Sequence, residues 1–401
     1  MSPIEPVPSL RRLRAFEAVA RLSSLSAAAQ VLRLTQPALT HSIGQLETEI
    51  GTRLFERKPE GSFLTEAGHS FQRRTQRFFT QIEDALTRAT SQTGDAVQGL
   101  AMRLGSAHLR SLLAIWRTGS FRAAAQSLNI SEPSLQRPAR ELEQLLAVTL
   151  FRRAAAGWTV TETGDDLARR LSLAMGEIRS GTQEAGGPQE NRPHLRIGVL
   201  ALAPRLLVTK ASAFLLSHYP HHRIEIVEGP YERLARDLND GLLDVLIGAL
   251  RAPSPFPELG EEIFFEDPYQ LACRKDHPIT QQIPAKPDHL NGFDWIFPTS
   301  ELPRRAVLDK LISDWSLAAP VQFETNCLTT ITALLADSDR LSILSRGHIA
   351  LDSRLAGIDL ALPHPPRHVG LTLRRNWLPT AVQETFLREL RQAAKSLSVQ
   401  H

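Results

Sequence analysis

The sequence predicts two tandem, helix-rich winged helix-turn-helix domains, each followed by a linker helix, ahead of a two-lobed α/β domain. Two observations set that expectation. Residues 13–68 align without a gap on residues 109–164, a constant offset of 96, and 21 of the 56 pairs are identical. From residue 195 onward, short apolar strands alternate with amphipathic helices, the pattern of a parallel, doubly wound sheet. A fixed-period repeat changes the whole reading if missed. A period of 96 is too long for a solenoid and there are two copies, so the front of the chain is a duplicated small domain.

The shared residues are structural ones: Ala27-Ala28-Ala29-Gln30 with Ala123-Ala124-Ala125-Gln126, Pro37 with Pro133, Leu46-Glu47 with Leu142-Glu143, Leu54-Phe55 with Leu150-Phe151. In the first copy Leu13, Phe16, Val19 and Ala20 recur at helical spacing, and residues 26–32 make a short alanine-rich helix. Arg33-Leu34 form the turn. Thr35 caps the next helix, and Pro37 falls in its first turn, where a missing N–H costs little. That helix buries Leu39, Ile43, Leu46 and Ile50 on one stripe and leaves Gln36, Thr40, His41 and Gln45 facing out. Leu54-Phe55-Glu56-Arg57, Gly61 and Phe63-Leu64-Thr65 read as a two-stranded wing. The second copy repeats the order, with Ser131 as cap, Leu135, Ala139 and Leu142 as stripe, and Gly157 in the wing turn. A duplicated packing module would share the periodicity alone. Turn, cap and wing in sequence, twice, point to DNA.

The charge distribution agrees. Residues 1–192 carry 24 Lys and Arg against 19 Asp and Glu, and all of the basic residues except Lys58 are arginine. The remainder carries 22 against 24, so a net +3 combines a basic front with a mildly acidic back. Arginine suits bidentate and phosphate contacts.

The two heads are not equivalent. In the first, Gln36 can pair with adenine edges, Thr40 and His41 can reach bases or phosphates, and Arg53 and Arg57 near the wing suit backbone contacts. In the second, Glu132 replaces Gln36 and is repelled by phosphate unless it accepts from a cytosine amino group. Gln136, Arg137 and Arg153 remain candidate contacts, with Arg140 as a further cation. Pro138 falls inside the recognition helix, removes the bond to the Ser134 carbonyl and is expected to kink it, at about 3 kcal/mol if uncompensated. The second head is therefore a weaker or differently specific reader, or an architectural copy.

The stretch from Ala27 to Gly68, with Ala27-Ala28-Ala29, Thr35-Gln36-Pro37-Ala38-Leu39, Leu46-Glu47, Leu54-Phe55-Glu56-Arg57 and Thr65-Glu66-Ala67-Gly68, resembles the LysR-type transcriptional regulators. The resemblance implies a linker helix after the winged helix and a C-terminal effector domain of periplasmic-binding-protein type. This chain departs from the pattern by carrying two winged helices. In the family the linker helix pairs antiparallel with that of a partner subunit. Here residues 66–90 and 164–180 supply two such helices in one chain, so a single chain is able to build the pseudo-dimer of heads. The expected domains are 1–94 and 95–190 for the two heads with their linkers, a hinge over 181–192, and 193–401 for the effector domain. Lobe 1 of that domain covers about 193–272 and 368–401, and lobe 2 about 273–367.

In the effector domain, strands are expected at 195–200, 223–228, 245–250 and 264–273, with helices at 204–217 and 231–240. Further strands fall near 295–297, 321–324, 341–344 and 370–374, and a final helix at 380–396. Val227-Glu228-Gly229-Pro230-Tyr231 and Gly241-Leu242-Leu243-Asp244-Val245-Leu246-Ile247-Gly248 are similar to the family's effector domains, most closely those of regulators of sugar uptake and aromatic-acid catabolism. Three segments should line the cleft: Leu200-Ala201-Leu202-Ala203 up to Pro204, Thr299-Ser300 before a helix N-terminus, and Asn326 after a strand. Helix N-termini suit a carboxylate. Relatives often place a hydroxyl in the first loop; Ala201-Leu202-Ala203 makes that side less polar. Arg251 and Arg304 are candidate anion anchors, or ordinary surface arginines.

Other classes find little support. No apolar run reaches membrane-spanning length and residues 1–12 lack a signal-peptide core, so the cytoplasm is the expected compartment. Two cysteines, Cys273 and Cys327, argue against a disulfide framework and suit core or cleft-edge positions. No Gly-x-Ser-x-Gly elbow, phosphate loop or His-Glu-x-x-His site is present. His218, His221 and His222, and likewise His364 and His368, read as solvated turns rather than metal sites. No cofactor, metal or catalytic residue is expected; the alternative is a metabolic enzyme of two-lobed fold with fused DNA-binding heads. Expected partners are a double-stranded DNA operator, a small-molecule effector (a sugar or an aromatic or other organic acid), a second copy or more of the chain as dimer or tetramer, and RNA polymerase, with no membrane.

Overall fold

The computed structural model describes residues 9–154, 157–186, 194–251, 254–281, 286–358, 360, 362 and 366–398. Part of the expected hinge, and His364, lie outside them. The chain forms two compact units, 1–193 and 194–401.

The first unit begins with α1 (Leu10–Leu22), α2 (Leu25–Val31) and α3 (Gln36–Ile50), then the wing β1 (Phe55–Lys58) and β2 (Gly61–Leu64), then the long α4 (Glu66–Thr90). A connector, α5 (Asp95–Arg103), leads to α6 (Ser106–Thr118), α7 (Phe121–Ser127) and α8 (Glu132–Leu146). The second wing, β3 (Phe151–Ala154) and β4 (Gly157–Val160), precedes α9 (Glu162–Glu184). Every element of the second copy starts 96 residues after its counterpart, so the repeat in sequence is a repeat in structure. Ser24, Thr35 and Thr65 cap α2, α3 and α4 through their hydroxyls, and Ser120, Ser131 and Thr161 do the same in the second copy. The predicted stripe Leu39, Ile43, Leu46 and Ile50 is buried. α8 runs through Pro138 from Glu132 to Leu146, with helical residues on both sides of it.

The two copies share one core. Phe16 and Phe71 meet edge-to-face at 5.1 Å, and the buried cluster continues through Phe78, Ile82 and Leu86 of α4 to Leu167, Leu171 and Ile178 of α9. The two linker helices pack along each other. Arg74 reaches Glu184 and Glu177, and Gln81 reaches Glu177, an order that sets the helices antiparallel. Near the start of each copy the Leu10 N–H donates to the Ser106 hydroxyl at 3.1 Å, joining equivalent positions of the repeat. One chain therefore makes the antiparallel linker pair by itself.

The second unit opens with β5 (His194–Val199), α10 (Arg205–His218), β6 (Arg223–Glu228), α11 (Tyr231–Asn239), β7 (Val245–Ala249) and β8 (Leu259–Glu266). Next come β9 (Tyr269–Arg274), β10 (Ile296–Phe297), α12 (Pro303–Asp314), β11 (Phe323–Glu324) and α13 (Leu328–Ala336). It ends with β12 (Ser342–Ser345), α14 (Arg346–Ile349), β13 (Leu355–Ile358), β14 (His368–Arg374) and α15 (Ala381–Ser398). A five-stranded sheet in the order β6-β5-β7-β14-β8 forms one lobe; β12-β9-β13 and the short pair β10-β11 form the other.

Two expectations are corrected. The large sheet is mixed, because β14 runs antiparallel to both β7 and β8: the chain re-enters from the other lobe rather than through a crossover helix. The segment expected as one strand over 264–273 is two strands in different sheets. The break is Asp267-Pro268, and proline within an apolar run removes a ladder donor. Asp267 serves the break instead: its N–H donates to the Arg367 carbonyl, and its carboxylate accepts from Arg367 at 2.7 Å and from the Gly347 N–H at 2.8 Å. The two chain crossings between lobes are thus tied to each other by a buried ion pair.

Candidate nucleic-acid interface and effector cleft

In the first head the turn and cap place the N-terminus of α3 at the surface. Gln36 and His41 are exposed and Thr40 is half-buried. The Ser26 hydroxyl donates to the Gln36 amide oxygen at 3.2 Å, which holds that side chain at the helix start. Thr35 accepts from the Ala38 N–H and Pro37 occupies the first turn, so these two shape the helix. Arg53 is exposed just before the wing and Arg57 is exposed on its first strand.

Glu47 and Glu143, conspicuous in the repeat, have a structural task that the sequence did not disclose. The Glu47 carboxylate accepts from the Leu54 and Phe55 N–H groups at 2.8 and 3.1 Å, and Glu143 does the same for Leu150 and Phe151. Each clamps its wing to its recognition helix. Thr65 donates to the Arg53 carbonyl and accepts from the Gly68 N–H; a Cβ on Gly68 would lie 2.1 Å from the Leu54 carbonyl, which excludes any side chain. Thr161 and Gly164 repeat the arrangement.

The second head presents different chemistry. Ser131 caps α8, and the Glu132 carboxylate accepts from the Gln136 amide at 2.9 Å. Arg137 is exposed and pairs with Glu141 one turn on. Arg153 is exposed on the wing. Arg140 stacks 4.5 Å above the Trp158 ring and pairs with Glu143, which fixes a cation between helix and wing.

In the second unit, Leu200 and Ala203 close a tight turn, and Ala201 and Leu202 pack against the apolar cluster of the other lobe. Thr299 donates to Glu301, Ser300 is exposed, and α12 begins only at Pro303, so these hydroxyls precede the helix rather than line its first turn. Asn326 is exposed beside Cys327, the exposed cap residue of α13; Cys273 is buried. The Arg251 guanidinium lies over the Tyr231 ring at 5.1 Å, and the Arg251 backbone N–H donates to the Glu261 carboxylate at 3.2 Å.

Arg304 is the site's most telling residue. It is 3 % exposed, yet its Nε and Nη2 have no hydrogen-bond partner among the described residues. Burial holds its pKa down to about 10. Tyr269, Arg367 and His348 lie within electrostatic reach. None of these three carries a local sequence signal that marks it for the cleft. Arg367 binds the Leu202 carbonyl at 3.0 Å as well as Asp267, and lies 5.4 Å from the Tyr269 ring centre. His348 is held below its ordinary pKa, first by burial and then by Arg304 and Arg205. Buried guanidinium donors ordinarily meet an acceptor, so the Arg304 Nε and Nη2 groups mark a place where a polar ligand atom fits.

Among the described residues no group of three or more His, Cys, Asp or Glu is placed to hold a metal, and no helix is long and apolar enough to cross a membrane. His218 stacks on Phe214 at the end of α10, and His368 opens β14.

Two winged helix-turn-helix heads ahead of a two-lobed α/β domain are the architecture of a DNA-binding regulator with an effector-binding domain. Comparison with known families agrees. The model of the bacterial regulatory helix-turn-helix protein, lysR family, matches residues 10–69 and again 106–165, and the LysR substrate binding domain matches residues 188–395. The chain belongs to the LysR family of transcriptional regulators, a family of regulators and not of enzymes. It is 28 % identical to the HTH-type transcriptional regulator GalR of Pseudomonas putida over 96 % of this chain and 97 % of that one. It is 27 % identical to the regulator PcaQ of Agrobacterium fabrum over 74 % of this chain and 96 % of that one. A full-length OxyR variant from Pseudomonas aeruginosa shares the fold, with a TM-score of 0.51 at 21 % identity, covering 72 % of this chain and 94 % of that chain.

Proposed function

We infer that this regulator reads its operator with both heads of a single chain and responds to a small anionic effector held at Arg304. The observation that carries the reading is the repeat itself: two recognition helices in equivalent positions, each with a capped, exposed N-terminus, joined by one antiparallel linker pair. Gln36, Thr40 and His41 carry base contacts in the first head; Arg53 and Arg57 hold the phosphates. The second head, with Glu132 tied to Gln136, contributes mainly through Arg137, Arg153 and Arg140 and reads less tightly.

The effector is an organic acid, aromatic or sugar-derived, whose carboxylate meets Arg304 and whose body lies against the apolar 200–203 loop. PcaQ and GalR, by name alone, leave its identity open. The regulator works in the cytoplasm, with RNA polymerase as its onward partner. Leu206 and Leu216 on α10 and Ile226 on the edge strand β6 are exposed, an apolar face suited to a second effector domain and hence to a dimer or tetramer.

Substitution separates base readout from charge. Gln36→Ala should weaken operator binding by about tenfold, the 1–3 kcal/mol of one bidentate base contact, and leave random-sequence binding unchanged. Arg57→Ala should weaken both and lower the salt slope by about one. Competition titrations at two salt concentrations read both effects. A Gln36→Ala protein with full discrimination would remove the first head's assigned role.

A further inference from the structure

Symmetry makes a demand on the linker helices that this chain does not meet. In a pair of identical antiparallel helices every contact occurs twice, once in each direction. Arg74 of α4, 2 % exposed, receives two carboxylates from α9: Glu184 on its Nε at 3.1 Å and on its Nη2, and Glu177 on its Nη1 at 2.9 Å. Arg77 and Gln81 add bonds to Glu177 at 3.0 and 3.1 Å. The counterparts of Glu177 and Glu184 in the first copy are Gln81 and Arg88. At those two positions the reciprocal contact has no acid to offer; Arg170, the counterpart of Arg74, has Asp166 of its own helix among its partners, at 2.8 Å.

Packing is just as one-sided. A Cβ on Gly181 of α9 would lie 2.9 Å from the Arg74 Cβ and 3.1 Å from the Phe71 ring. Its counterpart in α4 is Ala85, which carries the methyl group that this close approach excludes. Two α4 helices set in the same register would put Ala85 against Phe71 and bury Arg74 against Gln81 and Arg88 of the other copy. That face would hold a buried guanidinium with no carboxylate and a like charge nearby.

We propose that Arg74, Glu177, Glu184 and Gly181 form a pairing code that commits α4 to α9 and rejects the α4 of a second chain. Divergence of the two copies has converted a self-complementary surface into a lock-and-key pair, with repulsion against the wrong partner as well as attraction to the right one. The code rests on the linker helices alone and is independent of which bases either head reads.

The test uses full-length protein with Cys327→Ser, which removes the exposed thiol, and Gln81→Cys as reporter. In an α4–α4 pair residue 81 meets its own copy, so a disulfide between chains reports that pair and nothing else. With native charges the chain should run as monomer on a non-reducing denaturing gel after mild oxidation. Adding Arg74→Glu repels Glu177 and Glu184 but complements Arg88 of another copy, and most of the chain should shift to a cross-linked dimer. Adding Glu177→Arg and Glu184→Arg to that variant should return it to monomer with the parent's circular dichroism. Cross-linking with native charges overturns the proposal. So does an Arg74→Glu chain that is folded and stays monomeric, which would mean that the covalent tether alone selects the partner. If Arg74→Glu fails to fold, the triple charge swap decides: a folded monomer supports the code, and an unfolded or cross-linked product refutes it.

Discussion

At the scale of single residues, the burial of Arg304 gives the proposed effector site a test in stability. Its pKa, held to about 10 by burial, lies below the ordinary guanidinium value. Keeping the group charged therefore opposes folding. Stability would rise only as pH climbs through about 10, and across the neutral range the cost is constant, on the order of 3 kcal/mol. Arg304→Met should raise the melting temperature of the unliganded protein by several degrees, at about 2–4 °C per kcal/mol for a domain of this size. It should also abolish any thermal shift produced by a panel of aromatic carboxylates and sugar acids. A variant that melts no higher and keeps a carboxylate-dependent shift would place the anion elsewhere. The sequence offered Arg304 only as one of two candidate arginines, because burial is a tertiary property with no local signature. Arg367 went unnamed for the same reason: its partner Asp267 is 100 residues away. The exposed positions of Gln36 and His41, with Thr40 half-buried, were legible because one helical period separates an outward face from the Leu39, Ile43, Leu46 and Ile50 stripe.

At the scale of elements, each wing is held to its recognition helix by one carboxylate. Glu47→Ala would leave the Leu54 and Phe55 N–H groups without their acceptor at 2.8 and 3.1 Å. The first head should lose about 2–3 kcal/mol, and Glu47→Gln, which keeps one acceptor oxygen, should lose less. Hydrogen exchange at the Leu54 and Phe55 amides gives the direct reading: exchange in Glu47→Ala should quicken at these positions before the second head responds. Equal protection in parent and variant would show that the clamp contributes nothing. Element boundaries in the heads were readable from caps, since Thr35, Thr65, Ser131 and Thr161 announce their helices chemically. Pro138 forfeits one helical bond without ending α8, which continues because Leu135, Ala139 and Leu142 bury the same stripe on both sides of it. The 264–273 run misled: apolar residues on both sides of Glu266-Asp267-Pro268 suggest one strand, but the chain changes sheet at that polar, proline-containing step. Strand direction escaped for a similar reason. Whether β14 runs with or against β7 depends on where the chain returns from, and no local pattern records that.

At the scale of the whole molecule, the duplication was the plainest message in the sequence, because 96 residues of offset are preserved from helix to helix. On the proposed reading its consequence is a change in stoichiometry. A covalent tether keeps the second head near the duplex once the first has bound, so a weak second site still counts. The asymmetry of the heads, with Gln36 in one and Glu132 in the other, predicts an operator that is only partly palindromic. The most direct test is the number of chains per pair of adjacent half-sites, measured by stoichiometric titration of full-length protein onto operator duplex and footprinted in parallel. One chain should protect both half-sites, and Arg137→Ala with Arg153→Ala should shrink the footprint to the half-site read by the first head. Two chains per pair of half-sites, with a footprint indifferent to those substitutions, would contradict the account and leave the second head as a spacer.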